Sequence, residues 1–521
     1  MNTTLEQTTS VWMQAGEIPV QAALTADVSA DVCVIGAGIA GMTTAYLLLQ
    51  EERSVVVLDD GPIGGGQTER TTAHLSNAID DRYVAIEGWH GQEGARLAAE
   101  SHTAAIDRIE VIVARENIEC EFERLDGYLF TPLGESSDLL QQELHAARRA
   151  GLSEVELVDR SPLASFDTGP CLRFPRQAQF HPRKYLAGLT TAILRKGGRI
   201  FNQTRAEHVE NGPPARVRTR QGRTVTTASV VVATNTPFND FVTIHTKQAA
   251  YTSYVVGFVV PRGSVPRSLY WDTQNPYHYV RLQALPADGP AGERLGDPLT
   301  EELLIVGGED HKTGQADDAE ERCRRLEEWT RGRFPVTGSI RCRWSGQILE
   351  TIDGLAFIGR NPLDGPNIFI ATGDSGQGMT HGTIAGILLT DLIVGRHNPW
   401  TALYEPSRKT LRAAERFLQE NLNVALQYSS WLTGGDVAST NDIAPGTGAV
   451  VRRGLTKVAA CRDELGQLHE CSAVCPHLGC LVDWNPLEHT WDCPCHGSRF
   501  DKQGHVLCGP ANSDLARIRE V

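Results

Sequence analysis

Four residues near the end of the chain have the types and spacing of a metal-ligand set. They are Cys475 and His477 in CPHLGC, then, after fifteen residues, Cys493 and His496 in CPCHGSRF. Two thiolates and two imidazoles suit zinc, which accepts such a set tetrahedrally, or a [2Fe-2S] cluster whose one iron takes the sulfurs and the other the nitrogens. A zinc site has no use for Cys480 and Cys495, one in each of the same two segments. Seven of the 12 cysteines lie at or after Cys461, too local a concentration for chance and too sparse elsewhere for a disulfide scaffold.

A second constellation lies near the start. Gly36, Gly38 and Gly41 form GxGxxG directly after the apolar run VCVI, and the run VVVL ends in Asp59. The first glycine serves a tight turn, the second lets a pyrophosphate approach the backbone, and the third lets helix pack on strand. Asp59 is placed to accept from ribose hydroxyls. The pattern specifies a dinucleotide and leaves NAD and FAD both open.

Segments beyond the second strand separate the two. GPIGGGQTERTTAHLS (61–76), QFHPRKYLAGL (179–189), AEHVE (206–210), VVVATNTP (230–237) and the glycine turn before a long helix in 354–395 stand in an order that resembles the D-amino-acid oxidase (DAO) family of FAD-dependent oxidoreductases. The resemblance covers 31 to about 400. It implies that Thr68, Thr72 and His74 line the flavin and that Val209 holds the adenine through its backbone. It also implies that backbone N–H groups of Gly376, Gln377, Gly378, Met379 and Thr380 face the flavin pyrimidine edge, where a helix N-terminus favours negative charge. No cysteine occurs in 344–380 to attach the flavin, so the FAD is expected to be non-covalent.

The cysteine–histidine segment, with Gly497-Ser498, Trp491-Asp492 and Gly509-Pro510-Ala511, resembles a Rieske [2Fe-2S] domain over about 437–521. That resemblance implies Cys475, His477, Cys493 and His496 as ligands and a disulfide between Cys480 and Cys495, as in the respiratory branch. Where that branch carries a Tyr two residues after the Ser, this chain has Phe500, so a hydroxyl donor to a ligand sulfur is missing. Cys33, Cys120, Cys171, Cys323, Cys342, Cys461, Cys471 and Cys508 read as packing residues.

On the substrate side, Tyr277, Tyr279 and Arg281 alternate to one face of an expected strand, and Arg281 among tyrosines could clamp an anionic group. A structural arginine is the equal alternative. The segment Trp344-Ser345-Gly346-Gln347, where amino-acid oxidases often carry a carboxylate-binding Arg, holds Gln347, which weakens an amino-acid substrate. His381, at the start of the following helix, could touch substrate or flavin, although a histidine in a first helical turn is more often a local hydrogen-bonding residue.

These residues need a scaffold. The expected architecture is an α/β Rossmann-like FAD-binding domain with an α+β antiparallel-sheet substrate domain and a C-terminal all-β Rieske domain. An N-terminal arm spans 1–30, the oxidoreductase 31–400 (FAD-binding parts about 31–110, 170–245 and 345–400; substrate parts about 115–165 and 246–343), a helical linker 401–436 and the Rieske domain 437–521. Helices are expected over 95–115, 138–150 and 408–424, and a strand over 126–132. The formal charge of -15 disfavours nucleic acid, and no apolar run is long enough to span a bilayer. The polar start lacks a secretory pattern, which makes the cytoplasm the expected compartment. The composite expectation is oxidation of a small-molecule substrate at a C–N bond by FAD, with electrons leaving singly through the cluster to an external carrier. The alternatives are reversed flow and a redox electron-transfer or sensing protein without organic substrate.

Overall fold

The computed structural model describes residues 8–518 apart from 15–16, 133, 135, 240–242 and 286–296, so the first seven residues of the expected arm lie outside the described residues. The four-residue strand Val55–Leu58 is buried on both faces, as is the second half of Val28–Ile35. Continuous apolar runs of this kind belong inside a parallel sheet covered on both sides. They sit in an eight-stranded sheet ordered Phe357–Arg360, Ile368–Thr372, Thr224–Val232, Val28–Ile35, Val55–Leu58, Arg199–Phe201. Only the first of these pairs antiparallel to its neighbour. The hairpin of Ala206–Glu210 and Ala215–Thr219 hangs from Thr224–Val232.

Two helices cross over this sheet with almost no polar face. Nine of the twelve residues of Ile39–Gln50 are buried, and eleven of the seventeen of Gly378–Val394. Their close approach depends on two small residues one turn apart. A Cβ at Gly382 would sit 2.6 Å from Ile39 Cγ2, and one at Gly386 2.5 Å from Thr43 Cγ2. Well-packed interiors do not absorb such overlaps without backbone shifts. The glycines thus let both helix N-termini open onto the same place.

The second sheet has nine strands and is antiparallel except where Leu269–Asp272 meets Glu123–Phe130. Its longest strand, Gln248–Pro261, lies next to one edge, between the edge strand Ile340–Thr351 and Glu301–Lys312. The helix expected over 95–115 is longer, Arg82–Glu116, bent at Gly91, where φ is +73°. The one expected over 138–150 is Asp138–Arg149. The helix expected over 408–424 is shifted to Ala414–Gln427, after a 3-10 turn at Leu411–Ala413, and buries no residue.

Beyond it lie two small antiparallel sheets. One joins Gly448–Arg453, Thr456–Arg462 and Leu468–Ser472; the other joins Asp483–Asn485, Thr490–Asp492, Arg499–Phe500 and Val506–Cys508. No helix among the described residues is long and apolar enough to cross a membrane.

Candidate functional site: a shared cavity and a cysteine–histidine centre

The glycine turn sits where the first strand meets the first helix. Gly36 has φ +104°, and a Cβ there would overlap the Ala233 carbonyl; one at Gly41 would overlap the Gly36 carbonyl. Gly41 is therefore a packing glycine, whereas Gly36 and Gly38 line a cavity of about 1220 Å³. Asp59 reaches back to the turn, accepting from Ala37 N–H at 2.6 Å and Gly61 N–H at 2.8 Å. Burial pushes its carboxyl up to about 7 despite those donors. Ile39 N–H donates to Thr68 Oγ1 at 3.1 Å, which ties the Thr-rich loop to the helix start.

Thr68, Thr72, His74, Gly376, Gln377, Gly378 and Met379 also line the cavity. Thr380 is not on that wall; its hydroxyl hydrogen-bonds His102 Nδ1 at 3.0 Å. Val209 does not reach it either, since it pairs with Val217 inside an apolar cluster, and Ala206 occupies the wall instead. His74 Nδ1 hydrogen-bonds Thr72 Oγ1 at 3.1 Å, and burial, aided by Arg281, lowers its pKa to about 3, so the imidazole is neutral. His381 hydrogen-bonds the Asp374 carbonyl at 2.8 Å and also lines the cavity.

Tyr277 and Tyr279 face the cavity beside Trp271, and Tyr279 shares a hydrogen bond with Ser253. Arg281 does not line the cavity with them. Its Nη1 donates to the carbonyls of Thr72, Ala73 and Phe180 at 2.9–3.2 Å, and its guanidinium stacks 5.3 Å from the Trp12 ring. A guanidinium has only donors, and here Nη1 is committed to the backbone of the loop that carries Thr72 and His74 and to Phe180, and Nη2 to the Gln283 side chain. The clamp read from the sequence is corrected to a structural arginine that holds that loop.

Among the charged groups on the cavity wall, one that the sequence did not single out stands beside Tyr277. Asp80 Oδ2 accepts from Tyr277 at 3.3 Å and Oδ1 from Gln377 Nε2 at 2.7 Å. Burial raises its carboxyl to about 7, and the backbone at Gly376 passes so close that a Cβ there would overlap Asp80 Oδ2. The pair Asp80-Asp81 after the Thr-rich loop was the only local signal, and nothing in the sequence tied it to Tyr277.

At the other centre the Cys475 thiol lies beside that of Cys493, and the His477 ring beside that of His496. The segments that carry these residues are tight turns, with Gly479 N–H on the Cys475 carbonyl and Gly497 N–H on that of Cys493. A Cys480–Cys495 disulfide joins them. The His477 and His496 rings lie 5.0 Å apart and nearly perpendicular. Cys493 and the hydroxyl of Ser498 hold the Cys475 thiol below its ordinary value, while Cys475 pushes Cys493 up. One site therefore favours thiolate. Among the described residues His496 Nδ1 is buried without a hydrogen-bond partner, as fits a nitrogen kept for a metal. The donor set, two sulfurs and two imidazoles beside a separate disulfide, fits a [2Fe-2S] cluster, and the glycine turn with its cavity fits FAD.

Cys508, expected in the core, is half-buried on the cavity wall, where its thiol donates to Gln347 Oε1 at 3.5 Å. Nine residues between Arg499 and Asn512 line that wall. The two parts of the chain are held together by Arg70 and Glu488, and by Gln315 Nε2 on the Pro494 carbonyl at 3.0 Å.

The comparisons agree with this geometry. The family model for FAD dependent oxidoreductases (DAO) matches residues 31–392, and that for the Rieske [2Fe-2S] domain matches 434–519. The chain is 34% identical over 512 residues to the Rieske 2Fe-2S iron-sulfur protein YhfW of Bacillus subtilis (strain 168), covering 97% of both. It is 26% identical over 386 residues to gamma-glutamylputrescine oxidoreductase of Escherichia coli (strain K12), covering 71% of this chain and 85% of that one. Glycine oxidase from Geobacillus kaustophilus shares the fold, with TM-score 0.57 and 16% identity over 73% of this chain and 99% of that one. The chain belongs to the DAO family of FAD-dependent oxidoreductases and carries a Rieske [2Fe-2S] domain behind the flavoenzyme fold.

Proposed function

We infer that the protein oxidises a small amine-type substrate at a C–N bond and passes the electrons singly through its Rieske cluster to an external carrier. When bound, FAD supplies a two-electron acceptor and the cluster a one-electron store. The observation that carries the reading is the cavity itself. It is polar at Asp80, Tyr277 and Tyr279, and residues of the Rieske domain complete its wall.

The chain's own groups have separable tasks in this reading. The backbone of Gly36–Gly38 and the helix N-terminus behind it receive the pyrophosphate, and Asp59 the ribose. Ala206, rather than Val209, is the strand residue beside the adenine. The N–H groups of Gly376–Met379 face the flavin ring with the positive end of the helix Gly378–Val394. The charge beside the cavity tyrosines is a carboxyl, Asp80, while Arg281 is committed to backbone carbonyls and to Gln283. A carboxylate between tyrosines favours a cationic amine over the carboxylate of an amino acid. Neutral His74 adds no competing positive charge.

The deciding experiment is an anaerobic screen of amines and amino acids for flavin bleaching, followed by low-temperature EPR of the cluster. The reading expects an amine to bleach the flavin and then raise the reduced Rieske signal. Reversed flow expects no substrate-driven bleaching, and that result would overturn it.

A further inference from the structure

The imidazoles of the cluster centre do not face solvent. His477 and His496 are 8% and 9% exposed and are covered by His245, whose ring lies 5.0 Å from the first and 6.1 Å from the second. His245 belongs to the 3-10 turn His245–Lys247, directly before the strand Gln248–Pro261 that supplies Ser253 and Val255 to the cavity wall. A second contact runs beside it. Gln347 lies on that wall, and its Nε2 donates to the carbonyl of Gly497, the residue after His496, at 2.8 Å.

The two contacts belong to one rigid unit, because Thr252 pairs with Gln347 and Ser253 with Gly346 across adjacent strands. Gly497 has φ +76°, and a Cβ there would overlap Ala250 and stand 2.8 Å from Gln347 Nε2. The seam thus has no room for a side chain at that position. On its far side, Arg70 and Glu488 form an ion pair with side chains 8% and 0% exposed.

We propose that His245 and Gln347 form a fixed electron-transfer junction between flavin and cluster, so that the Rieske domain works docked and does not swing between partners. Each electron that leaves the reduced flavin reduces the cluster by one. An external one-electron carrier reoxidises the cluster, and two such passages return the flavin to its oxidised state and release its protons to water. The junction serves flow in either direction and so goes beyond the functional reading above.

The test uses the full-length protein loaded with flavin and iron. Its flavin is reduced by a light flash with a deazaflavin donor in the absence of oxygen, and the cluster is followed optically. The expected rate of transfer is independent of glycerol viscosity, and the double variant His245→Ala, Gln347→Leu slows it about tenfold, the equivalent of about 1.4 kcal/mol in barrier. Hydrogen exchange over 244–250 and 495–498 is expected to stay slow in the oxidised and the reduced protein alike. A wild-type rate that falls with viscosity, a seam that exchanges rapidly in either state, or a double variant as fast as the parent would overturn the junction.

Discussion

Arg70 and Glu488 meet across the domain boundary at 3.1 Å, with the carboxylate fully buried. Ser345 donates to the same carboxylate through both its amide and its hydroxyl, and the Ser345 carbonyl in turn accepts from Arg70. Glu488→Ala leaves the guanidinium buried with its carboxylate partner gone, a change that typically costs about 3–5 kcal/mol. Chemical denaturation should show a loss of that order, concentrated at the boundary and readable as earlier proteolysis between the flavin and Rieske parts.

The same carboxyl has a pH signature. Arg70 and Arg499, with Ser345 and Thr8, hold Glu488 below the ordinary carboxylate range, against the opposing effect of burial. A depressed folded-state pKa contributes stability that is present above the unfolded value of about 4.3 and is lost as pH falls through the folded one. Acid titration of the wild type should therefore weaken the boundary below about pH 4, and Glu488→Gln should remove that part of the pH dependence.

Gly38 tests the dinucleotide turn. A side chain there would start 3.1 Å from Thr68 Oγ1 and project into the cavity. Gly38→Leu should purify without flavin but with its iron, because the four expected ligands all lie within 475–496, far along the chain from the glycine turn. In the wild type, acid precipitation should release the flavin into solution.

Asp80 should set the pH profile of substrate oxidation. With its carboxyl raised to about 7 by burial, the group is protonated in mild acid and ionised in mild base. If the carboxylate is the form that holds a cationic amine, the rate of flavin bleaching rises through about pH 7. Asp80→Asn should flatten that rise and lower kcat/KM more than kcat.

Phe500 is fully buried in the apolar cluster that contains Cys475 and Cys493. Phe500→Tyr adds a donor near the ligand sulfurs, and a hydrogen bond to a reduced, more negative cluster stabilises it. The midpoint should rise by several tens of mV, on a scale where about 59 mV is tenfold for one electron. Protein-film voltammetry of the full-length protein measures it, and an unchanged or lower midpoint would show that the hydroxyl does not reach a sulfur.

The parts legible in the sequence are those whose chemistry is local. A glycine turn, its strand and its acid lie within 24 residues, and each ligand pair within four. The parts that were not legible depend on partners far along the chain. Val209, which the resemblance implied would hold the adenine through its backbone, pairs with Val217 in an apolar cluster, while Ala206 of the same hairpin stands on the wall; the order of segments that carries the resemblance does not say which residue of the hairpin reaches the cavity. Arg281 alternates correctly with Tyr279, but its length carries the guanidinium to carbonyls of 72 and 73 that no strand pattern reveals. Asp80 and Gln347 acquire their meaning only through Tyr277 and Gly497, reached by folding over 197 and 150 positions.

The wall that two domains share also orders the making of the protein. Nine residues from Arg499 to Asn512 complete the flavin-side wall, so a chain lacking them is expected to leave it open. Iron–sulfur assembly on 475–496 and flavin insertion at Gly36–Gly38 are therefore not independent maturation events: a chain whose last domain has not folded presents an unfinished vessel for the nucleotide, and a cell short of iron would accumulate flavin-poor protein as well.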